Sequence, residues 1–355
     1  MSTNELNIFV PHQLSNMIAV TGASGMLGAH FIFELTKKHN KVVALKRDQS
    51  NITWIKSLFV FLDKENGLAR WNKVVWRDAD LNDVFSLTDA LHDATTVYHC
   101  AAVVDFVRKR KAVIIENNVQ GTANLVDALI ELPQEVKLLH VSSIAALGKP
   151  ETGNTVTATT EWKEDEEQSA YAVSKYYSEL EAWRGANEGL KVISVLPGLI
   201  LGCGHKKAPS MAPFIHVKKG KKRISDGTVG LVPITDVVNQ SIALIQNEEA
   251  IGKRYVLVAD NWSFKQWFQV IAEAMQQAIV FRVLSRKKLQ QISLLERFYC
   301  LFTGKPRKLK ASTINALTNT NEYDGSEVVE VTDIKYTSIQ KQIKEIVEWQ
   351  KLMQS

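Results

Sequence analysis

Met17-Ile18-Ala19-Val20-Thr21-Gly22-Ala23-Ser24-Gly25-Met26-Leu27-Gly28 runs from an apolar, β-branched segment into three glycines, and a helix-like stretch, 29–38, follows. In a strand–turn–helix of this kind Gly22 permits the tight turn and Gly25 lets the backbone approach a pyrophosphate. Gly28 lets helix and strand pack closely, while free helical N–H groups face the phosphates. The spacing is GxxGxxG, not the more frequent GxGxxG. The expectation is a dinucleotide site at the first turn of a parallel α/β sheet.

An NAD site usually carries an acidic side chain at the end of the second strand, about 20 residues past the glycines, to hold the ribose hydroxyls. That stretch reads Val42-Val43-Ala44-Leu45-Lys46-Arg47-Asp48. Lys46 stands where the acid is expected and Arg47 adjoins it, so two cations occupy the place of a 2'-phosphate. NADP is the expected cofactor, and Asp48 leaves NAD admissible.

Beyond this unit, short apolar runs alternate with helical patterns. Strands are expected at 16–21, 41–46, 73–77, 96–99, 136–142 and 191–196, and helical spacing recurs in Leu125, Leu129 and Leu132. Such alternation predicts a doubly wound parallel sheet of Rossmann type. After Gly202 a stretch rich in Gly, Pro and Lys runs to Gly230, and a strand-like pair follows at 231–235 and 254–258. Phe264, Trp267, Phe268 and Ile271 then fall on one helix face, and Ile339, Ile343, Ile346 and Met353 on another. The expected organisation is a Rossmann domain over 1–200, to which 231–260 returns. A smaller, mostly helical substrate lobe is expected from 201–230 and 261–355.

Tyr171-Ala172-Val173-Ser174-Lys175 places a phenol and an ammonium one helical turn apart. A free tyrosine titrates near 10, and a neighbouring cation lowers that value by stabilising the phenolate. The pair suits proton exchange with an oxygen whose carbon gains or loses hydride. Upstream, Val141-Ser142-Ser143-Ile144-Ala145-Ala146-Leu147-Gly148 ends a strand at the edge where open α/β sheets bind ligands. A hydroxyl there can orient the reacting oxygen, or cap a turn.

These pieces resemble the extended short-chain dehydrogenase/reductase family, also called the NAD(P)-dependent epimerase/dehydratase family. The matching motifs are TGASGMLG at 21–28, DL at Asp80-Leu81, YHCAA at 98–102, NVQGT at 118–122, VSSIAALG at 141–148, YAVSK at 171–175, LPGLILG at 196–202 and VPITDVV at 232–238. The resemblance implies that Gly22, Ser24, Gly25, Met26, Leu27 and Gly28 hold the pyrophosphate, and that Lys46 and Arg47 meet the adenosine ribose. Asp80 and Leu81 would face the adenine, with Ala101 and Ala102 beside the nicotinamide ribose. It further implies Tyr171 as acid/base, Lys175 holding the ribose hydroxyls and tuning Tyr171, Ser143 binding the substrate oxygen and Asn118 supporting a water-linked proton path. Pro197 and Gly198 would border the nicotinamide. Substrate contacts would come from Val104, Phe106, Ser143, Ala145 and Tyr171. A homodimer through the helices around Gly121 and Tyr171 is also a family expectation.

Departures from the family pattern narrow the chemistry. Sugar 4,6-dehydratases carry an Asp-Glu pair after the catalytic hydroxyl residue, whereas Ile144-Ala145 follow Ser143. Nucleotide-sugar epimerases usually grip the diphosphate with an Arg before the strand at 232–235, yet the stretch 226–231 holds no cation. Val103-Val104-Asp105-Phe106 resembles instead dihydroflavonol reductase-like and 3β-hydroxysteroid dehydrogenase-like members. The expected activity is an NADP-dependent reduction or oxidation between a carbonyl and a secondary alcohol in a small, moderately apolar substrate. A nucleotide-sugar epimerase with tightly bound NAD and a non-catalytic NAD(P)-binding regulator are the alternatives.

Composition agrees with such an enzyme. The chain has 355 residues, 45% apolar, with 43 Lys+Arg against 38 Asp+Glu and a formal charge of +5. That mild charge, with no basic arm or zinc-finger spacing, speaks against nucleic acid as a partner. Cys100, Cys203 and Cys300 are widely separated and suggest neither a disulfide framework nor a metal site, and no His spacing suggests a metal. A reducing cytoplasm is expected, with no secretory leader at Met1 to Pro11 and no membrane span. The runs Lys218-Lys219-Gly220-Lys221-Lys222-Arg223 and Arg108-Lys109-Arg110-Lys111 are expected to be solvated surface. The apolar run 294–302 is expected to be a core helix or pocket cover, since its neighbours supply no sustained amphipathic pattern, with an amphipathic membrane-surface segment as the alternative.

Overall fold

In the computed structural model, residues 17–103, 111–164, 168–205, 208–304, 307 and 309–353 are described. Val104, Phe106 and the cations Arg108, Lys109 and Arg110 lie outside them.

The strands are β1 Met17–Thr21, β2 Val42–Lys46, β3 Val74–Asp78, β4 Ala94–His99, β5 Lys137–Val141, β6 Thr155–Val156, β7 Lys191–Pro197, β8 Leu199–Leu201, β9 Arg223–Ser225, β10 Thr228–Pro233, β11 Arg254–Leu257, β12 Asp260–Ser263, β13 Arg282–Leu284 and β14 Glu322–Tyr323. Helices are α1 Met26–Leu35, α2 Thr53–Leu62, α3 Gly67–Trp71, α4 Val84–Leu91, α5 Lys111–Ile130, α6 Ala170–Asn187, α7 Ala212–Lys218, α8 Ile234–Gln246, α9 Phe264–Ala274, α10 Arg286–Thr303, α11 Ala311–Leu317, α12 Ser326–Thr332 and α13 Ile339–Leu352.

Seven parallel strands form the main sheet in the order β11-β7-β5-β4-β1-β2-β3. β1 is buried at all five positions, as a central strand covered on both faces must be, while β3 at the edge is only half-buried. Leu125, Leu129 and Leu132 pack with Val43, Val97 and Leu138 on one face of the sheet, as their helical spacing predicts. On the other face α1 and α2 share a core with Trp267 and Ile271 of α9 and with Ile343, Ile346 and Trp349 of α13.

The strand pair expected at 231–235 and 254–258 divides between two sheets. β11 adds the seventh strand beside β7, whereas β10 pairs with β8 and, antiparallel, with β12. Apolar runs of similar composition cannot announce which neighbour they will find. Another expectation fails in its first part: the run 294–302 is not core. Leu294, Leu295, Phe298, Leu301 and Phe302 all face outward, and α10 buries only Leu289 and Ser293.

Candidate active site

Strand order reverses direction between β1 and β4, and a ligand cleft in an open α/β sheet is expected where the carboxyl ends of such strands part. The structure has one there, with about 950 Å³ of empty volume partly open to solvent. It is lined by Gly22, Ser24 and Gly25 from the glycine turn and by Lys46, Arg47 and Ser50 after β2. Asp80, Leu81 and Asn82 follow β3, and Ala101, Ala102 and Val103 follow β4.

Backbone sterics require the glycines. Gly22 has φ +64°, and a Cβ there would lie 2.7 Å from the Ala101 backbone. A Cβ on Gly28 would stand 2.3 Å from the Gly22 carbonyl oxygen, so this residue serves packing of α1 onto the turn. The Gly25 N–H bonds the Gly22 carbonyl, and the first intrahelical bond is from the Ala29 N–H to the Gly25 carbonyl. Amides of the first turn therefore have no partner within the helix, and no acidic side chain occupies that turn. A dinucleotide pyrophosphate fits this cradle.

A buried network holds the two strand ends at their spacing. The Thr122 hydroxyl donates to the Asn118 carbonyl at 2.9 Å, so it accepts from Nε2–H of His99 at 3.1 Å. Nδ1 of His99 is then the bare nitrogen and accepts from the Thr21 hydroxyl at 2.7 Å. Burial first, and the Lys175 charge second, push His99 down to about 3, which keeps the ring neutral. Asn118 fastens the β4 end to α6: its Oδ1 accepts from the Val103 N–H at 2.7 Å, and Nδ2 donates to the Val103 carbonyl and the Ser174 hydroxyl. In the sequence Thr21, His99 and Thr122 stand only as members of the motifs at 21–28, 98–102 and 118–122, with nothing to pair them.

Ser143 follows β5 and caps the short 3-10 helix 144–146, accepting from the Ala145 N–H at 3.2 Å. Its hydroxyl is also hydrogen-bonded to the Tyr171 phenol, so the turn-capping and substrate-facing expectations for Ser143 are not exclusive. Burial raises the Tyr171 phenol above its ordinary value, and Ser143 offsets this only in part. That direction is opposite to the expected acidification. The reason is geometric: Lys175 Nζ donates 2.8 Å to the Val141 carbonyl, and the carboxylate coupled to it is Glu179, a turn further along α6, while burial keeps the Cys100 thiol neutral.

Lys175 and Glu179 are both buried on α6, a helical turn apart. Ser142 donates to Glu179 Oε2 at 2.6 Å, and Arg254 Nε approaches Oε1 at 3.4 Å. Sequence reading missed this carboxylate, although the i, i+4 spacing from Lys175 was a usable signal. Burial pulls Lys175 down to about 8, against the smaller opposing effects of Cys100 and Glu179. A cation whose value falls on folding opposes folding below about pH 8, and that opposition fades as the pH climbs toward its ordinary 10.5.

A pH dependence follows. Nucleotide affinity and kcat/KM are expected to decline as pH rises through about 8 and the Lys175 ammonium is lost. Fluorescence titration with NADPH across that range measures it. Lys175→Met should bind weakly at every pH and lack this alkaline limb; an unchanged limb in that variant would assign it to another group.

Pro197 and Gly198 lie at the carboxyl end of β7, where a Cβ on Gly198 would meet the Gly230 carbonyl oxygen at 2.5 Å. Ala145 is half-buried beside Ser143. Met26 and Leu27 start α1; Met26 Sδ accepts from the Ser210 hydroxyl at 3.4 Å, and Leu27 packs on the core. No cluster of three potential metal ligands occurs among the described residues, and none of their helices is long and apolar enough to cross a membrane.

Residues 18–258 match the family model described as the NAD dependent epimerase/dehydratase family, which is about two thirds of the chain. The chain belongs to that family. It is an NAD(P)-dependent oxidoreductase of the short-chain dehydrogenase/reductase type. Among curated proteins it is 28% identical over 274 residues to a bifunctional dihydroflavonol 4-reductase/flavanone 4-reductase of Malus domestica, covering 73% of this chain and 76% of the relative. It is 25% identical over 272 residues to the cinnamoyl-CoA reductase CAD2 of Medicago truncatula, covering 73% and 81%. Two solved structures share the fold. Yeast methylglyoxal/isovaleraldehyde reductase Gre2 complexed with NADPH has a TM-score of 0.73 at 16% identity, covering 95% of this chain and 99% of that one. UDP-glucuronic acid 4-epimerase from Bacillus cereus, in complex with UDP-glucuronic acid and NAD, has 0.72 at 16%, with the same coverage.

Proposed function

We propose that this family member is an NADP-dependent reductase of a carbonyl group in a small, moderately apolar substrate. The observation that carries the reading is the Tyr171 phenol, a protonated donor hydrogen-bonded to Ser143 at the end of β5. A protonated phenol is the form that reduction consumes. Ser143 and Tyr171 would hold the substrate oxygen together, and Tyr171 would give it a proton as the carbon becomes tetrahedral, leaving a secondary alcohol. A nicotinamide bound in the cleft supplies the hydride. Lys175, positioned by Val141, would hold the ribose hydroxyls. The half-buried Ala145, next to Ser143, would offer the substrate an apolar side chain, in keeping with the reductases of flavanones and cinnamoyl thioesters among the relatives.

Cofactor choice rests on Lys46 and Arg47. Lys46 forms an ion pair with Asp78, directly opposite on β3, while Arg47 is exposed at the cleft edge. An ion pair with one partner this exposed contributes at most about 1 kcal/mol, so a 2'-phosphate dianion can displace Asp78. Changing Lys46 and Arg47 to Ala is expected to raise KM for NADPH more than about tenfold and to leave KM for NADH nearly unchanged. Equal losses for both nucleotides would remove the assignment of these side chains to the 2'-phosphate.

The reading as a whole is tested by NADPH oxidation across a panel of apolar ketones and aldehydes. Tightly copurifying NAD together with a thermal shift on UDP-sugars, and no turnover on the panel, would replace it with epimerisation. Within this proposal the enzyme is a homodimer through α5 and α6, for which the exposed Tyr177 and Leu180 of α6 provide apolar contact.

A further inference from the structure

α10 is amphipathic the wrong way round for a helix that only covers a core. Leu289 and Ser293 are its buried residues. Leu294, Leu295, Phe298, Leu301 and Phe302 are 54, 70, 55, 78 and 84% exposed, and at about 100° per residue they occupy one arc of roughly 120° on the opposite side. A contiguous outward apolar stripe of this size marks a surface that something else covers.

The charges around the stripe say what. The helix carries four cations, at 286, 287, 288 and 297, against one carboxylate, Glu296, whose Oε2 accepts from the Leu309 N–H. β13, which leads into α10, pairs with β9 so that Arg282 stands opposite Arg223, and the Arg282 N–H donates to the Lys222 carbonyl at 2.6 Å. The exposed Lys219, Lys221 and Lys222 are therefore brought to the start of β13, the short strand that leads into α10. A second copy of the chain docking through this face would set cations against cations across a two-fold axis. An anionic bilayer matches both parts at once, taking the Leu and Phe side chains between acyl chains while lipid phosphates meet the lysines.

We propose that α10 and the basic loop 218–223 form a docking face for an anionic lipid surface, with the helix lying in the interfacial plane. The helix does not span the bilayer. This proposal is independent of the reductase reading, and its test uses no catalysis.

The full-length protein is floated with phosphatidylcholine vesicles and with vesicles of equal parts phosphatidylcholine and phosphatidylglycerol, at low and high salt. Binding to the anionic vesicles is expected to exceed binding to neutral ones by more than about tenfold and to weaken with salt. The triple variant Leu295→Asp, Phe298→Asp, Phe302→Asp should stay soluble and keep the wild-type melting temperature, because these side chains point to solvent, and should no longer float. Lys219→Glu, Lys221→Glu, Lys222→Glu should lose most anionic binding. Wild-type protein that remains at the bottom of the gradient with anionic vesicles would overturn the proposal. So would a triple variant that floats unchanged, or a stripe whose substitution only converts a dimer to a monomer in light scattering.

Discussion

Tyr171→Phe is expected to lower kcat by 10²- to 10⁴-fold, the usual contribution of a positioned acid, while the affinity for NADPH stays within about twofold. The expectation rests on where the hydroxyl is. It is hydrogen-bonded to Ser143, and burial raises it further above its ordinary value, so removing it deletes one protonated hydroxyl and leaves the glycine turn untouched. Stopped-flow reduction and a fluorescence titration of NADPH separate chemistry from binding. Ser143→Ala should reduce kcat in the same sense, and the double variant should lose less than the product of the two, because in the proposed reaction the two hydroxyls serve one oxygen. Full activity in Tyr171→Phe would remove the proton-transfer assignment altogether.

Gly28→Ala is expected to be as damaging, through packing instead of chemistry. The added Cβ would sit 2.3 Å from the Gly22 carbonyl oxygen and 2.7 Å from the Ala23 Cα. These are backbone atoms, so no side chain can swing aside, and α1 must lift from the turn whose amides face the cleft. Overpacking of this kind costs about 1–3 kcal/mol, and the pyrophosphate cradle is distorted in the same motion. The melting temperature should fall by several degrees, and the stabilisation conferred by NADPH should largely vanish. Gly153→Ala is the control. Gly153 has φ +69° with nothing within 4 Å of a Cβ, so it should lose about 1 kcal/mol and retain its full response to NADPH.

Much of this site was legible along the chain because its determinants are local. Gly22 must be glycine for a positive φ and a close backbone approach, and strand, turn and helix follow one another within twenty residues. Tyr171 and Lys175 are a helical turn apart whatever surrounds them. Leu125 and Leu129 announce the inner face of α5 by spacing alone, and Leu132 continues it just past the helix end. The apolar face of α10 has the same kind of spacing and yet points to solvent. Periodicity identifies a face and does not say what it meets.

Glycine turn, alternating strands and helices and the spacing of Tyr171 and Lys175 were thus readable from the order of residues, since each depends on backbone sterics or on periods of two and 3.6 residues, while the choice of Ser143 came from the family resemblance. Assembly settled what depends on partners far away in the chain. The Lys175 amine rests on the Val141 carbonyl, 34 positions away, so the phenol beside it is raised by burial and not lowered by charge. Asp78 came to face Lys46 through a strand pairing 32 positions apart, and β11 found β7 while β10 did not. Protonation states and strand partners are set by which groups share a dry interior, and that is a property of the packed chain.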